Sequence, residues 1–244
     1  MASTITIQQT INWVLAYIVQ RPFTGVAGIT NEPGLTSANY LMQSIMQPPF
    51  CWEWNRNVLS AAITTVAGTS DYSVSIPTFG WLEKATLINS SPAANQPPNF
   101  ELEIFKILSK DGQQNRPQKI ALLQDSGSGS ITFRLFPVPD AVYTIDLDIQ
   151  NAPILATTLG ATTWAPIPDK LAFLYERGMQ AMAQMMYNQQ LGLSNLEIFF
   201  RQLVSAAAGL TEMEKAIFLA DALRPIRMRQ DELQAATAGK QARS

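Results

Sequence analysis

Histidine is absent from this chain of 244 residues, and cysteine occurs once, as Cys51. Without histidine the commonest general base and the commonest metal ligand are gone, and with them every Ser-His or Cys-His dyad. A lone cysteine excludes an internal disulfide and fits a reducing compartment. Charge is scarce as well: Asp, Glu, Lys and Arg make up 15% of the residues, against roughly 25% in an ordinary soluble domain. The net charge of −2 gives no global electrostatic basis for nucleic-acid binding. The longest apolar run near the N-terminus, Trp13–Val19, falls short of the ~18 residues that a membrane span needs. No basic region precedes it, so a signal peptide is not expected and the sequence reads as a soluble protein of a cytoplasm. Walker loops, dinucleotide glycine patterns, nucleophile elbows and zinc-ligand sets are all missing. An enzyme built on this chain would have to work with carboxylates, lysine or tyrosine.

What is present is a 47% apolar composition, enough for a sizeable core in one large or two small domains. Residues 6–20 place Ile7, Ile11, Val14, Leu15 and Ile18 on one helical face, with Thr6 and Gln9 spaced as a capping box. A loop through Gly25–Gly34 follows, then a short helix over 37–47 that buries Leu41 and Ile45 and stops at Pro48-Pro49. The spacing of apolar residues then predicts strands at 57–66, 71–76, 81–89, 101–108, 117–124, 131–136 and 142–149, with turns such as 92–98 between them. Ile131–Ile149 alternates with period two on both sides of Pro137-Val138-Pro139-Asp140, which predicts an antiparallel hairpin with Arg134 opposite Asp146 or Asp148. After Gln150 the period turns helical. One helix opens at Pro168-Asp169 and closes at Gly192. A second is capped by Ser194 and Glu197 and ends near Gly209. A third starts at the Thr211–Glu214 box and is broken by Pro225 after Leu223. The expected fold class is α+β, an α-helical bundle of N-terminal and C-terminal helices with an inserted antiparallel β-sandwich-like domain. The boundaries read as 1–56 and 151–223 for the bundle, 57–150 for the insertion and 224–244 for an extended C-terminal arm.

Few residues offer chemistry. Glu101 with Glu103, and Asp146 with Asp148, are i, i+2 carboxylate pairs that acid–base catalysis could use; a solvated strand face is the plainer account. Cys51 sits between Phe50 and Trp52 with no histidine to activate it, which favours a structural thiol. Gly127-Ser128-Gly129 lacks a following lysine and reads as a hairpin turn. Met182, Met185 and Met186 suit either an adaptable groove or a helix seam. From Arg224 onward, five basic side chains (Arg224, Arg227, Arg229, Lys240, Arg243) face two acidic ones, Asp231 and Glu232, a net +3. Such a tail is either a solubilising end or an arm that orders on a partner.

Several segments, in order, resemble the head-to-tail adaptor (connector or neck) proteins of tailed double-stranded DNA bacteriophages. They are Phe50-Cys51-Trp52-Glu53-Trp54-Asn55-Arg56, Thr64–Tyr72, Phe79–Ala85, Phe133–Asp140 leading to Tyr143, and Trp164-Ala165-Pro166-Ile167-Pro168-Asp169. They span roughly residues 50–220, and each is fold-making, not catalytic. The resemblance implies a structural virion protein, not an enzyme, with no cofactor and no metal. Such proteins form a ring of commonly about twelve copies beneath the portal, closed by heterologous contacts. The ring joins the capsid to the next tail or nozzle component and leaves a channel through which DNA passes without specific binding. The resemblance also implies a C-terminal arm that docks on the portal, carried here onto Arg224, Arg227, Arg229 and Leu233. On this account deletion of 225–244 would leave the fold intact and abolish docking. The protein would act at the head-tail junction after synthesis in the bacterial host cytoplasm. Two other classes stay open: a carbohydrate-binding or tail accessory module stacking sugars on exposed Trp52, Trp54 or Trp81, and a carboxylate-dependent hydrolase.

Overall fold

Along the chain the elements run α1 (Ile7–Ile18), β1 (Gly25–Val26), β2 (Ile29–Thr30), α2 (Gly34–Met46), β3 (Arg56–Thr64), β4 (Asp71–Ser75), β5 (Phe79–Ile88), β6 (Asn99–Glu101), β7 (Glu103–Phe105), β8 (Lys119–Asp125), β9 (Ser130–Phe136), β10 (Thr144–Asn151), a 3₁₀ turn (Asp169–Leu171), α3 (Ala172–Tyr187), α4 (Gln189–Ala206) and α5 (Glu212–Gln241). This computed structural model describes residues 2–18, 25–26, 29–30, 33–89, 99–106 and 112–241, with all their side chains except those of 15–18, 25–26, 29–30, 186–187 and 236–241. The side chains of Leu15, Ile18, Met186 and Lys240, the 92–98 turn, residues 107–108 of an expected strand and Arg243 therefore lie outside the described residues. Two compact units result: Met1–Trp54 with Pro153–Ser244, and Asn55–Ala152.

The expected fold class is overturned. Among the described residues the chain is a mixed helix-and-strand fold with five helices and two sheets of four strands each, beside the short β1-β2 ribbon. Its helices are internal elements, not terminal flanks of a bundle. Extended residues 2–5 lead into α1, Thr6 bridges antiparallel to Thr163, and the β1-β2 ribbon separates α1 from α2. Nor are the sheets purely antiparallel, because β7 runs parallel to β8. Residues 99–105 are one extended stretch that changes sheet at the buried Leu102, whose N–H donates to the Ala85 carbonyl. Period-two patterning specifies which face of a strand is buried, not which strand it pairs with, so the pattern could not reveal this crossing.

In the first unit, α1 begins with the reciprocal box the spacing predicts: Thr6 N–H donates to Gln9 Oε1 (2.8 Å) and Gln9 N–H to Thr6 Oγ1 (3.1 Å). Ile7, Ile11 and Val14 are buried from it, as are Leu41 and Ile45 from α2. Trp164 is fully buried, stacks on Tyr175 (4.5 Å, 4° between planes) and donates its indole N–H to Thr10 Oγ1 at 2.8 Å. Two expected helix boundaries move. Asn188, not Gly192, separates α3 from α4, and its side chain caps α4 by accepting the Leu191 N–H. Gly192 lies inside α4, where a Cβ would stand 2.4 Å from the Met185 backbone nitrogen. The glycine serves close helix contact, not termination. Ser194 accordingly caps nothing and donates to the Gln190 carbonyl.

The third expected helix starts at the box the sequence shows, with Glu214 Oε2 accepting from Thr211 N–H at 2.9 Å. It does not end at Leu223: α5 runs on through Pro225 to Gln241. An internal proline costs a helix ~3 kcal/mol. Leu219, Ala222, Leu223, Ile226 and Leu233 keep one face against the core on both sides of it, and that burial offsets the cost.

In the second unit the sheet orders are β3-β10-β5-β6 and β4-β9-β8-β7. One core joins them: Ile63, Leu87, Ile145 and Leu147 from the first sheet meet Ile120, Ile131 and Leu135 from the second, and Phe79 meets Phe133 edge to face at 6.1 Å. The expected β9–β10 hairpin does not form, since the two strands belong to different sheets and the proline corner carries the chain between them. Arg134 pairs instead with Asp71 of β4, with two bonds of 2.7 and 2.8 Å. The Gly127-Ser128-Gly129 segment does turn the β8–β9 hairpin, with both glycines at positive φ.

Candidate functional site

The carboxylate pairs dissolve first. Glu101 ends β6 and reaches Lys84, while Glu103 opens β7 and reaches Lys119, each at 3.5 Å. They stand on different sheets. Asp146 accepts the Ala61 N–H at 2.7 Å, which fixes a bulge in β3 where Ala61 takes φ +52°. Asp148 sits between the buried Leu147 and Ile149, paired in register with Val58 and Lys84. The Cys51 thiol is half-buried and donates to the Pro49 carbonyl at 3.6 Å. Among the described residues no group of three or more Asp, Glu or Cys is placed to hold a metal ion, and no helix is long and apolar enough to cross a membrane.

Trp52, Trp54 and Trp81 offer little to a sugar. Trp52 is 5% exposed and donates to the Ile45 carbonyl at 2.6 Å, lying between Phe50 and Trp54. Trp54 and Trp81 are half-buried, and each has its indole nitrogen sealed from solvent.

Polar side chains in both units bond to one another or to the backbone. Burial pushes the Glu83 carboxyl up, but hydrogen bonds from Arg56 and Gln150 outweigh it and hold the group below its usual range. Burial, with the Asp140 carboxylate accepting its hydroxyl, pushes Tyr143 up to about 12. The Ser3 hydroxyl and the neighbouring Thr4 hold Asp169 low, which anchors the extended N-terminal residues to the start of α3.

Exposed apolar side chains occur in both units, Val58, Val66 and Val142 of the sheet unit and Ile154 of the helical unit among them, and a group of them lies on α4 and α5. Met213 is 74% exposed, Met228 58% and Ile217 53%, with Leu191 and Ile198 of α4 also open to solvent. Of the arm residues, Arg224, Arg227 and Arg229 are exposed on α5, whereas Leu233 is half-buried against the core. Arg229 pairs with Glu232 (2.7 Å) and Arg227 approaches Glu197 of α4 (3.5 Å), so two of the three arginines already face carboxylates.

The sequence reading missed a cleft of about 570 Å³ in this unit. Leu193, Leu196 and Phe200 of α4 and Phe218, Ala222 and Ile226 of α5 line it, with Met185 of α3 and Tyr40 of α2 at its side. Met185 thus does both things that sequence allowed the methionines, packing under Gly192 and lining a groove. The signal that could have found the cleft was the apolar stripe continuing past Pro225. Neither a protein-family model nor a curated protein sequence matches the chain.

Proposed function

We propose that this chain is a structural head-to-tail adaptor of a tailed bacteriophage, a non-enzymatic virion protein. In this role it forms a homo-oligomeric ring beneath the portal, joins it to the next tail or nozzle protein, and leaves a channel for the genome. It would be made in the host cytoplasm and work at the head-tail junction. The observation that carries the reading is the run of exposed apolar side chains on α4 and α5, in a chain with only 15% charged residues. Surfaces that become buried in protein contacts are depleted of charge at their centre, and methionine is enriched there. The ordered segments from Phe50 to Asp169 add the resemblance. A DNA channel lined by a protein of net charge −2 would not trap its cargo. The sugar-binding alternative loses support from the burial of Trp52.

Mixing the purified chain with portal rings and imaging by negative stain tests the proposal: ring-on-ring complexes are the expected result, and a chain that joins no portal would refute it. Truncation needs a shorter cut than the sequence suggested. Removing 225–244 strips the buried Ile226 and the half-buried Leu233 from the core, so it damages the fold as well as any arm. Removing 236–244 leaves both in place and tests the last residues alone, while joint replacement of the exposed Arg224, Arg227 and Arg229 by alanine tests the docking residues that this cut retains.

A further inference from the structure

We infer that the cleft of the helical unit receives a segment of a partner protein that presents an apolar or aromatic side chain beside an arginine or lysine. The volume of about 570 Å³ falls in the range of built binding sites, roughly 300–1,000 Å³. The floor, from Leu196, Phe200 and Ile226, is apolar and fixed by burial on its far side. Its lip is not neutral. Asp221 lines the cleft, and among the described residues the ion pairs of α4 and α5 join Arg201 and Arg227 to Glu197, Lys215 to Glu212, and Arg229 to Glu232, leaving the Asp221 carboxylate outside all of them.

The backbone adds a second acceptor at the same place. In an α-helix the carbonyl of residue 221 takes the N–H of residue 225, and proline has none. Pro225 also lines the cleft, so the break in the hydrogen-bond ladder falls on the cleft wall. A carboxylate and a freed carbonyl on one residue suit a cation with several donors. A guanidinium has five in a planar fork, and an ammonium has three. The apolar floor would take the neighbouring side chain or the aliphatic stem of the cation itself. This inference does not rest on the adaptor reading, since it requires neither a ring nor a portal.

The test uses the full chain with labelled methyl groups, titrated with acetyl-Leu-Phe-Arg-amide and with the same peptide carrying citrulline for arginine. Citrulline keeps the shape and removes the charge. The methyl signals of Leu193, Leu196, Ala222 and Ile226 are expected to shift with the arginine peptide, which binds at least about five-fold more tightly than the citrulline peptide. Asp221→Asn should bring the arginine peptide down to the citrulline level. Pro225→Ala, which returns an N–H to the helix without changing charge, should weaken binding while leaving thermal stability equal or higher. Methyl signals that do not move, equal binding of the two peptides, or either variant binding as tightly as the unaltered chain overturns the inference. So do cleft signals that shift with protein concentration alone, because the occupant is then a second copy of this chain.

Discussion

The two units hold their elements by different means. In the sheet unit, single polar atoms fix the backbone. Thr65 Oγ1 accepts the Tyr143 N–H (2.7 Å) and donates to the Ala141 carbonyl (2.9 Å). Asn55 and Asn151 exchange side-chain-to-backbone bonds of 2.9 and 2.7 Å, and the Tyr72 hydroxyl donates to the Thr69 carbonyl at 2.7 Å. In the helical unit, where Asn39 and Asp169 also bond backbone groups, fit carries more of the work: Trp164 against Tyr175, Gly178 under Leu41, Gly192 under Met185. Strands that change sheets leave irregular joints whose N–H and C=O groups need individual partners. Helices satisfy their own backbones and are positioned by volume. Volume changes should therefore injure the helical unit most, and shape-preserving loss of a polar atom should injure the sheet unit.

The largest effect is expected from Trp164→Ala. It removes a fully buried ring, its stack on Tyr175 and the partner of Thr10. Losing a large buried aromatic side chain costs about 3–5 kcal/mol. Urea unfolding followed by helical circular dichroism measures it, and a loss under 1 kcal/mol would break the comparison. Gly192→Ala comes next at about 1–3 kcal/mol, because the added methyl meets the backbone nitrogen and Cα of Met185 as well as its Cγ, and the backbone cannot swing aside.

Gly192 also illustrates what the sequence could and could not reveal. Capping boxes were legible at Thr6–Gln9 and Thr211–Glu214 because both partners lie within one turn and the bond depends on local geometry alone. Strand faces were legible in β9 and β10 for the same reason. Their partners were not, since pairing depends on residues far along the chain, such as Asp71 for Arg134. Glycine and proline misled for a related reason. Gly192 and Pro225 are local breakers whose presence inside helices is decided by a neighbouring helix and by a buried stripe. The cleft was illegible because its wall is assembled from four helices.

On the polar side, Thr65→Val keeps the shape and leaves the Tyr143 N–H without its acceptor in a buried place. The expected loss is about 1–3 kcal/mol, read in the same urea experiment. Equal stability would show that the sheet unit is held by fit after all. Glu83 sharpens the point through pH. Its carboxyl is held below the usual range, so the folded state favours the charged form. That contribution is complete above the ordinary glutamate pKa of about 4.3 and fades as pH falls through the lower folded value. Glu83→Gln should flatten part of the decline in stability as pH falls below the ordinary glutamate range, by roughly 0.5–1 kcal/mol. Asp169, Glu197 and Glu214, also held low, keep the rest of the slope.

The smallest effect tests the bulge in β3, where Ala61 sits at φ +52° and donates its N–H to Asp146. Left-handed backbone costs an alanine roughly 1–2 kcal/mol, and glycine avoids that cost. Glycine in turn loses about 0.4–1 kcal/mol more on folding, because its unfolded chain is freer. The difference favours Ala61→Gly by about 0.5 kcal/mol, a rise of a few degrees at most in thermal midpoint. β3 is an edge strand of nine residues, and a bulge that bends an edge discourages pairing with another chain. If the bulge is held by the Asp146 bond, Ala61→Gly stabilises while Asp146→Ala destabilises by about 1–2 kcal/mol and exposes a flatter edge. Should Ala61→Gly destabilise instead, the alanine methyl contributes packing that outweighs its strain, and the contrast between polar stitching and fit would fail in the strand where it is drawn most sharply.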